Sequence, residues 1–148
     1  MPRVPRTALP DGYFHVFTRG VDGIPVFPGT EERTRFVELL WRCARRHRWA
    51  CYAATVLTTH YHLVLEARQE RLSLGMQALN WNYARYFNKR HVRFGHVFAA
   101  RFGSRVIERE EYLFDACTYV LQNPVKAGLC ERVEEWPWSY SRYGLDVS

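Results

Sequence analysis

Two histidines one residue apart, His60 and His62, stand inside an apolar run from Ala53 to Leu65. In an extended segment residues two apart project from one face, so both imidazoles point one way and Tyr61 the other. Two imidazoles so placed form half of a divalent-metal site; the plainer reading is a pair of hydrogen-bonded strand histidines. A second group, Asp115, Tyr119 and Asn123, recurs every four residues and shares one face of a helix. A tyrosine is a nucleophile when its phenolate is generated by metal or base and a cation polarises the target phosphate. Asn123 can offer its amide oxygen as a third ligand, and a metal that carries phosphate oxygens is hard, Mg²⁺ or Mn²⁺ rather than zinc. Spacing alone leaves Tyr83, Tyr86 and Tyr112 as rivals, and Tyr119 itself also fits an aromatic at the edge of a core stripe.

A phosphate-bearing partner is indicated by charge. The chain carries +6 over 148 residues, with a pI near 9.4. From Arg71 to Ile107 there is no acidic residue, while Arg71, Arg85, Lys89, Arg90, Arg93, Arg101 and Arg105 supply more positive charge than the chain's net. Trp81, Tyr83, Tyr86, Phe87, Phe94, Phe98 and Phe102 are interleaved with them. Cations for phosphates and flat rings for bases are what single-stranded nucleic acid uses. The bland alternative is a solvated basic helix whose rings are core. Trp81, Phe94 or Phe98 are the candidates to stack on bases, and His96 is read as a loop hydrogen-bonder.

These groups need a frame. Tyr13 to Thr18 alternates as a strand, followed by a turn over residues 19–23. Thr30 is expected to cap a helix whose stripe is Phe36, Val37, Leu39, Leu40 and Cys43, ending in the basic run Arg45-Arg46-His47-Arg48. Residues 49–58 and 61–67 read as a hairpin turning at Thr58-Thr59, with the histidines at the start of its second strand. A helix over 72–89 with a stripe through Leu74, Ala78, Leu79, Asn82, Tyr86 and Phe87 follows. A short strand over 104–108 comes next, then a helix from Glu110 to Gln122 buried through Leu113, Cys117, Val120 and Leu121 and closed by Asn123-Pro124. This order predicts an α+β fold, a split βαβ arrangement with an antiparallel sheet and helices on one face.

The length suits one domain, residues 1–148, with Met1 to Pro10 as a flexible tail. Nothing resembles a secretory signal or a membrane span, so a cytoplasmic protein is expected. Cys43, Cys51, Cys117 and Cys130 are too scattered for a zinc ribbon and are read as reduced packing residues.

Taken in order, the motifs resemble a single-tyrosine HUH transposase of the REP-associated tyrosine transposase (IS200-like) branch, over nearly the whole chain. They are Phe17-Thr18-Arg19-Gly20 with Val26-Phe27, Val56-Leu57 leading to His60-Tyr61-His62-Leu63-Val64-Leu65, Tyr86-Phe87-Asn88, and Gly95-His96-Val97-Phe98 with Arg101-Phe102. Tyr112-Leu113, Tyr119 to Leu129, and Trp136-Pro137-Trp138-Ser139 with Ser141 complete the set. The resemblance implies a ferredoxin-like α/β sandwich of HUH endonuclease type. It implies Mg²⁺ or Mn²⁺ on His60, His62 and Asn123, and it selects Tyr119 as the nucleophile that forms a 5′-phosphotyrosine and frees a 3′-hydroxyl.

The implied partner is single-stranded or hairpin DNA, held by Arg19, Arg85, Lys89, Arg90, Arg93, Arg101 and Arg105. The implied setting is a bacterial cytoplasm, near the nucleoid, as a monomer or homodimer. Thr58 and Thr59 stand where Pro-Asn is usual, and Val21-Asp22 where paired asparagines are common. Two other readings stay open: a domesticated hairpin-DNA-binding protein that rarely cleaves, and a metal-dependent phosphodiesterase that uses water.

Overall fold

The protein is described by a computed structural model covering residues 12–145. The tail expected at residues 1–10 lies outside the described residues. Five strands, β1 (Gly12–Arg19), β2 (Ala50–Val56), β3 (His60–Ala67), β4 (Gly103–Ile107) and β5 (Ser139–Ser141), form one antiparallel sheet in the order β4-β1-β3-β2-β5. Helix α1 (Thr30–His47) links β1 to β2, and α2 (Gln69–Arg90) links β3 to β4. Strand order β4-β1-β3-β2 with two crossover helices is the split βαβ topology. The sequence reading missed β5, a three-residue strand that pairs Ser139, Tyr140 and Ser141 with Thr55, Ala54 and Ala53.

The odd-numbered residues Tyr61, Leu63 and Leu65 of β3, with Phe14 and Val16 of β1, pack under α1 and α2 as the main core. The even-numbered face is not left to solvent. Val64 of β3 and Ala53 of β2 are completely buried beneath Leu113, Cys117 and Val120 of α3 (Leu113–Leu121). The expectation of helices on one face therefore holds for α1 and α2 and fails for α3. A central strand apolar on both faces demands cover on both. A 3₁₀ turn over Glu110–Tyr112 precedes α3, and instead of ending at Asn123-Pro124 the chain makes one more helical turn, α4 (Asn123–Lys126). Proline is tolerated in a first helical turn, where its missing N–H costs nothing.

Two local expectations are corrected. Thr30 is the first residue of α1 and makes no cap; Gly29 holds the cap position without a side-chain hydrogen bond. On α2 the buried stripe is Leu72, Met76, Leu79, Tyr83 and Phe87. These positions follow the four-and-three spacing of one helix face, whereas Leu74, Ala78 and Asn82 run along its flank, with Leu74 and Asn82 exposed. Cys43, Cys51 and Cys117 are buried free thiols, pushed by burial up to about 12, 12 and 11, so they pack and do not react. No helix among the described residues is long and apolar enough to cross a membrane.

Candidate active site

The register of β1 against β3 sets Phe17 opposite His62, Arg19 opposite His60 and His15 opposite Val64. Residues opposite one another share a face, so the two central strands gather His15, Phe17, Arg19, His60 and His62 on the side away from α1 and α2. A hydrogen bond of 3.0 Å joins His15 Nε2 to His62 Nδ1. The rings of His60 and His62 lie 5.0 Å apart between centroids, nearly perpendicular, and Phe17 packs on both His15 and His62. Room for that phenyl ring comes from Gly103, directly across in β4. A Cβ there would stand 2.3 Å from the ring.

The turn that presents His60 is held by main chain. The Gly20 amide donates to the Thr59 carbonyl at 2.8 Å, and the Phe27 amide donates to the Thr58 carbonyl at 2.9 Å. Gly20 is required by close approach, since a Cβ there would meet the Ile24 carbonyl at 2.7 Å. The Thr59 hydroxyl is 2.9 Å from His60 Nδ1. Behind the turn, the Arg33 guanidinium lies 4.9 Å from the ring centres of both Trp136 and Trp138 and reaches the Thr58 hydroxyl at 3.4 Å. Trp136 Nε1 donates to the carbonyl of Val56. The Trp-Pro-Trp block thus clamps the end of β2 and the approach to the histidines.

Burial of Leu113, Cys117 and Val120 against the sheet fixes α3 over this face. It leaves Tyr119 at the helix margin, 46 % exposed, with its ring 5.7 Å from that of His15 in an edge contact. Lys126 of α4 sets its ammonium 4.6 Å from the centre of the Tyr119 ring. Asn123 donates its amide N–H groups to the carbonyls of Tyr119 and Val120, which leaves Oδ1 as the atom with ligand character. Asp115 is exposed.

The rival tyrosines stand elsewhere. Tyr83 is buried, its hydroxyl donating to the Val26 carbonyl, and burial raises it far above the usual phenol range. Tyr86 lies half-buried in the helix layer, and Tyr112 is exposed near Val106 and Ala116. Tyr61, between the histidines, points into the core toward Asn80 and Thr18.

Burial holds all three imidazoles neutral. It lowers His62 to about 3, helped by His15, His60 and Arg19, and His15 to about 4, helped by Arg105. His60 is lowered by burial and by Arg19. Neutral imidazole is the ligating form. With both Nδ1 atoms engaged, the Nε2 atom of each ring is the one with ligand character, and a hydrogen-bonded second nitrogen is the usual support of a metal-bound histidine. By chemistry the donors present, two neutral imidazoles and an amide oxygen, are of a kind that divalent metals accept. Among the described residues no three His, Cys, Asp or Glu side chains form a metal-holding group.

The basic residues expected to meet DNA divide between two surfaces. Arg19 and Arg105 lie on the histidine face, at register positions opposite His60 and His15. Arg85, Lys89 and Arg93 lie across the molecule, on the helix layer. Arg101 is exposed in the connection between α2 and β4. Arg90 is occupied, paired with Glu31 and Glu32 of α1. Of the rings, Trp81 and Phe94 are 59 % and 92 % exposed, Phe98 is half-buried, and Tyr83 and Phe87 are core. The His96 carbonyl accepts from Arg93 in the same loop.

Sequence reading missed His15, Thr59 and Lys126 as neighbours of the chemistry. For His15 the available signal was alternation, which sets it on one face with Phe17 and Arg19. For Lys126 it was the position seven residues after Tyr119, two helical turns on.

No protein-family model matches the chain, and no curated protein does. Among solved structures, the chain is similar to a REP-associated tyrosine transposase bound to a REP hairpin. The TM-score is 0.67 at 17 % identity, over 94 % of this chain and 82 % of that one. It is also similar to a candidate transposase from Deinococcus radiodurans R1, with a TM-score of 0.54 at 16 % identity, over 82 % of this chain and 97 % of that one. The five-stranded sheet, its two crossover helices and the helix that carries Tyr119 therefore make up the fold of a tyrosine transposase.

Proposed function

We propose that the chain is a transposase-type nuclease that cuts single-stranded DNA next to a hairpin and keeps the 5′ end on Tyr119. The observation that carries this reading is the placement of Tyr119 against His15, itself bonded to His62. One exposed phenol thereby shares a sheet face with the pair of neutral imidazoles. A divalent metal, Mg²⁺ or Mn²⁺, held by His60, His62 and Oδ1 of Asn123, would supply positive charge to the scissile phosphate.

The residues themselves do the rest. His15 and Thr59 orient the two imidazoles, while Arg19 and Arg105 attract the backbone to this face. Lys126 sets a positive charge over the Tyr119 ring, next to the nucleophile. In the reaction, Tyr119 loses its phenolic proton to solvent and its oxygen bonds to phosphorus as the bond from phosphorus to the 3′ oxygen breaks. That oxygen leaves as a hydroxyl after taking a proton from water. One phosphodiester replaces another, so no external energy source is needed, and the free hydroxyl can reverse the step to join strands. Support from the comparisons is the shared fold, one neighbour of which is described as bound to a REP hairpin.

The test is covalent capture. Incubated with labelled hairpin DNA carrying an unpaired flank and Mn²⁺, the protein is expected to form an adduct that survives denaturing electrophoresis, and Tyr119→Phe is expected to abolish it. Cleavage that persists in Tyr119→Phe would give the site to a water-using phosphodiesterase. Binding without cleavage would make the chain a DNA-binding protein only.

A further inference from the structure

Arg33, in the first turn of α1, is a cation without a carboxylate. Its neighbour Glu32 is committed to Arg90 and His91, and no carboxylate among the described residues forms an ion pair with Arg33. Its Nε is closed off from solvent and has no hydrogen-bond partner. A charge so placed is costly unless its surroundings compensate it. Here two indole rings do so. The guanidinium lies over Trp136 and Trp138, 4.9 Å from each ring centre, and the two rings stand 67° apart as the walls of a cage. A planar guanidinium stacks on rings and keeps its fork free to donate, unlike the point charge of a lysine.

The cage is fixed to the sheet at the place where the first imidazole is presented. Trp136 Nε1 donates to the Val56 carbonyl at 2.9 Å, and the Val56 amide donates to the Trp138 carbonyl at 3.0 Å. Val56 ends β2, and His60 opens β3. Between them, the Thr58 hydroxyl accepts from Arg33 at 3.4 Å, and the Thr59 hydroxyl stands 2.9 Å from His60 Nδ1. The two imidazoles are thus held by different means. His62, inside the strand, is held across the sheet by His15; His60, at the strand's first position, is held from the turn. The Arg33 side chain makes its hydrogen bond to Thr58 and its ring contacts to Trp136 and Trp138, and none to His60, His62 or Tyr119.

We infer that Arg33 is a positioning residue for the histidine pair: caged by Trp136 and Trp138, it holds the Thr58-Thr59 turn and, through Thr59, the orientation of the His60 imidazole. The role rests on the nuclease reading above for its effect on cleavage, whereas the setting of His60 belongs to the chain without metal or DNA. Thr58 is what gives Arg33 its grip. A proline, the usual residue at that place, has no hydroxyl to accept from the guanidinium. The Trp-Pro-Trp block thereby bears on the reaction from behind the turn.

The test uses the full chain. Long-range proton–nitrogen NMR spectra of the metal-free protein read the tautomer and hydrogen bonding of each imidazole, and the Mn²⁺ concentration at half-maximal adduct formation reads the assembled site. R33Q empties the cage, and T58V removes the hydroxyl while leaving the cage and the shape of the side chain in place. W49F, which deletes the Trp49 bond to the Arg71 carbonyl at the far end of β2, is the control for lost stability alone. R33Q and T58V are expected to shift the His60 nitrogen resonances while those of His15 and His62 stay. Both should raise the Mn²⁺ requirement about tenfold, at the low end of what outer partners of metal-bound histidines command, with affinity for hairpin DNA unchanged. His60 resonances unmoved in T58V, a Mn²⁺ requirement unmoved in both variants, or equal effects in W49F would overturn the inference. Absence of an adduct from the unmodified protein, with the His60 shifts intact, would overturn the nuclease reading alone.

Discussion

His15 shows what one residue can decide in this site. Its Nε2 is the partner of His62 Nδ1, and both rings are buried. Replacing His15 by leucine, close in size but unable to hydrogen-bond, leaves that nitrogen without its partner. The expected loss is about 1–3 kcal/mol of unfolding free energy, read from the urea midpoint at unchanged slope. An unchanged midpoint would remove His15 from the group that fixes His62. His60 and His62 were legible from their own spacing, and Tyr119 was one of four tyrosines until the motif order singled it out. His15 was not legible, because its partner is 47 residues away. Alternation says which residues share a face of a strand. It does not say which strand lies alongside or in what register.

At the scale of elements, the sheet was legible because its strands alternate or are wholly apolar between polar turns, and α3 was read to its buried stripe. The stripe of α2 was read only in part, at Leu79 and Phe87. Leu74, Ala78 and Asn82 repeat every fourth residue as convincingly as Leu72, Met76, Leu79 and Tyr83, and only packing against β1 and β3 distinguishes the core row from the flank. The five-stranded width escaped notice because β5 has too few residues to show a period. Strand β4 carries a sharper expectation. Gly103 faces Phe17, so Gly103→Val must displace the ring that packs on His15 and His62. Overpacking of this kind costs about 1–3 kcal/mol. The thermal midpoint should fall, and adduct formation should drop further than Arg105→Gln lowers it. A variant with native stability would show that β4 gives way easily and that Phe17 is not held.

For the whole molecule, burying His15 and His62 as neutral imidazoles links folding to pH. An unfolded histidine binds its proton near 6.5, whereas His15 and His62 hold theirs only below about 4 and about 3. Between those limits the unfolded chain binds more protons, so stability is full above about pH 6.5 and falls as pH drops toward 4. Thermal midpoints measured from pH 7.5 to 4.5 should decline, and the decline should be shallower in His15→Leu. A flat profile would mean that these imidazoles are hydrated. The sheet carries the histidines and Tyr119 on one face and α1 and α2 on the other, and β3 belongs to both through its alternating side chains. That alternation makes the strand intolerant of a change in length. One residue inserted or deleted between Thr59 and Val64 would shift the register by one, turning Tyr61 out of the core and an imidazole into it. With both faces of β3 already assigned, its residue count is fixed by geometry.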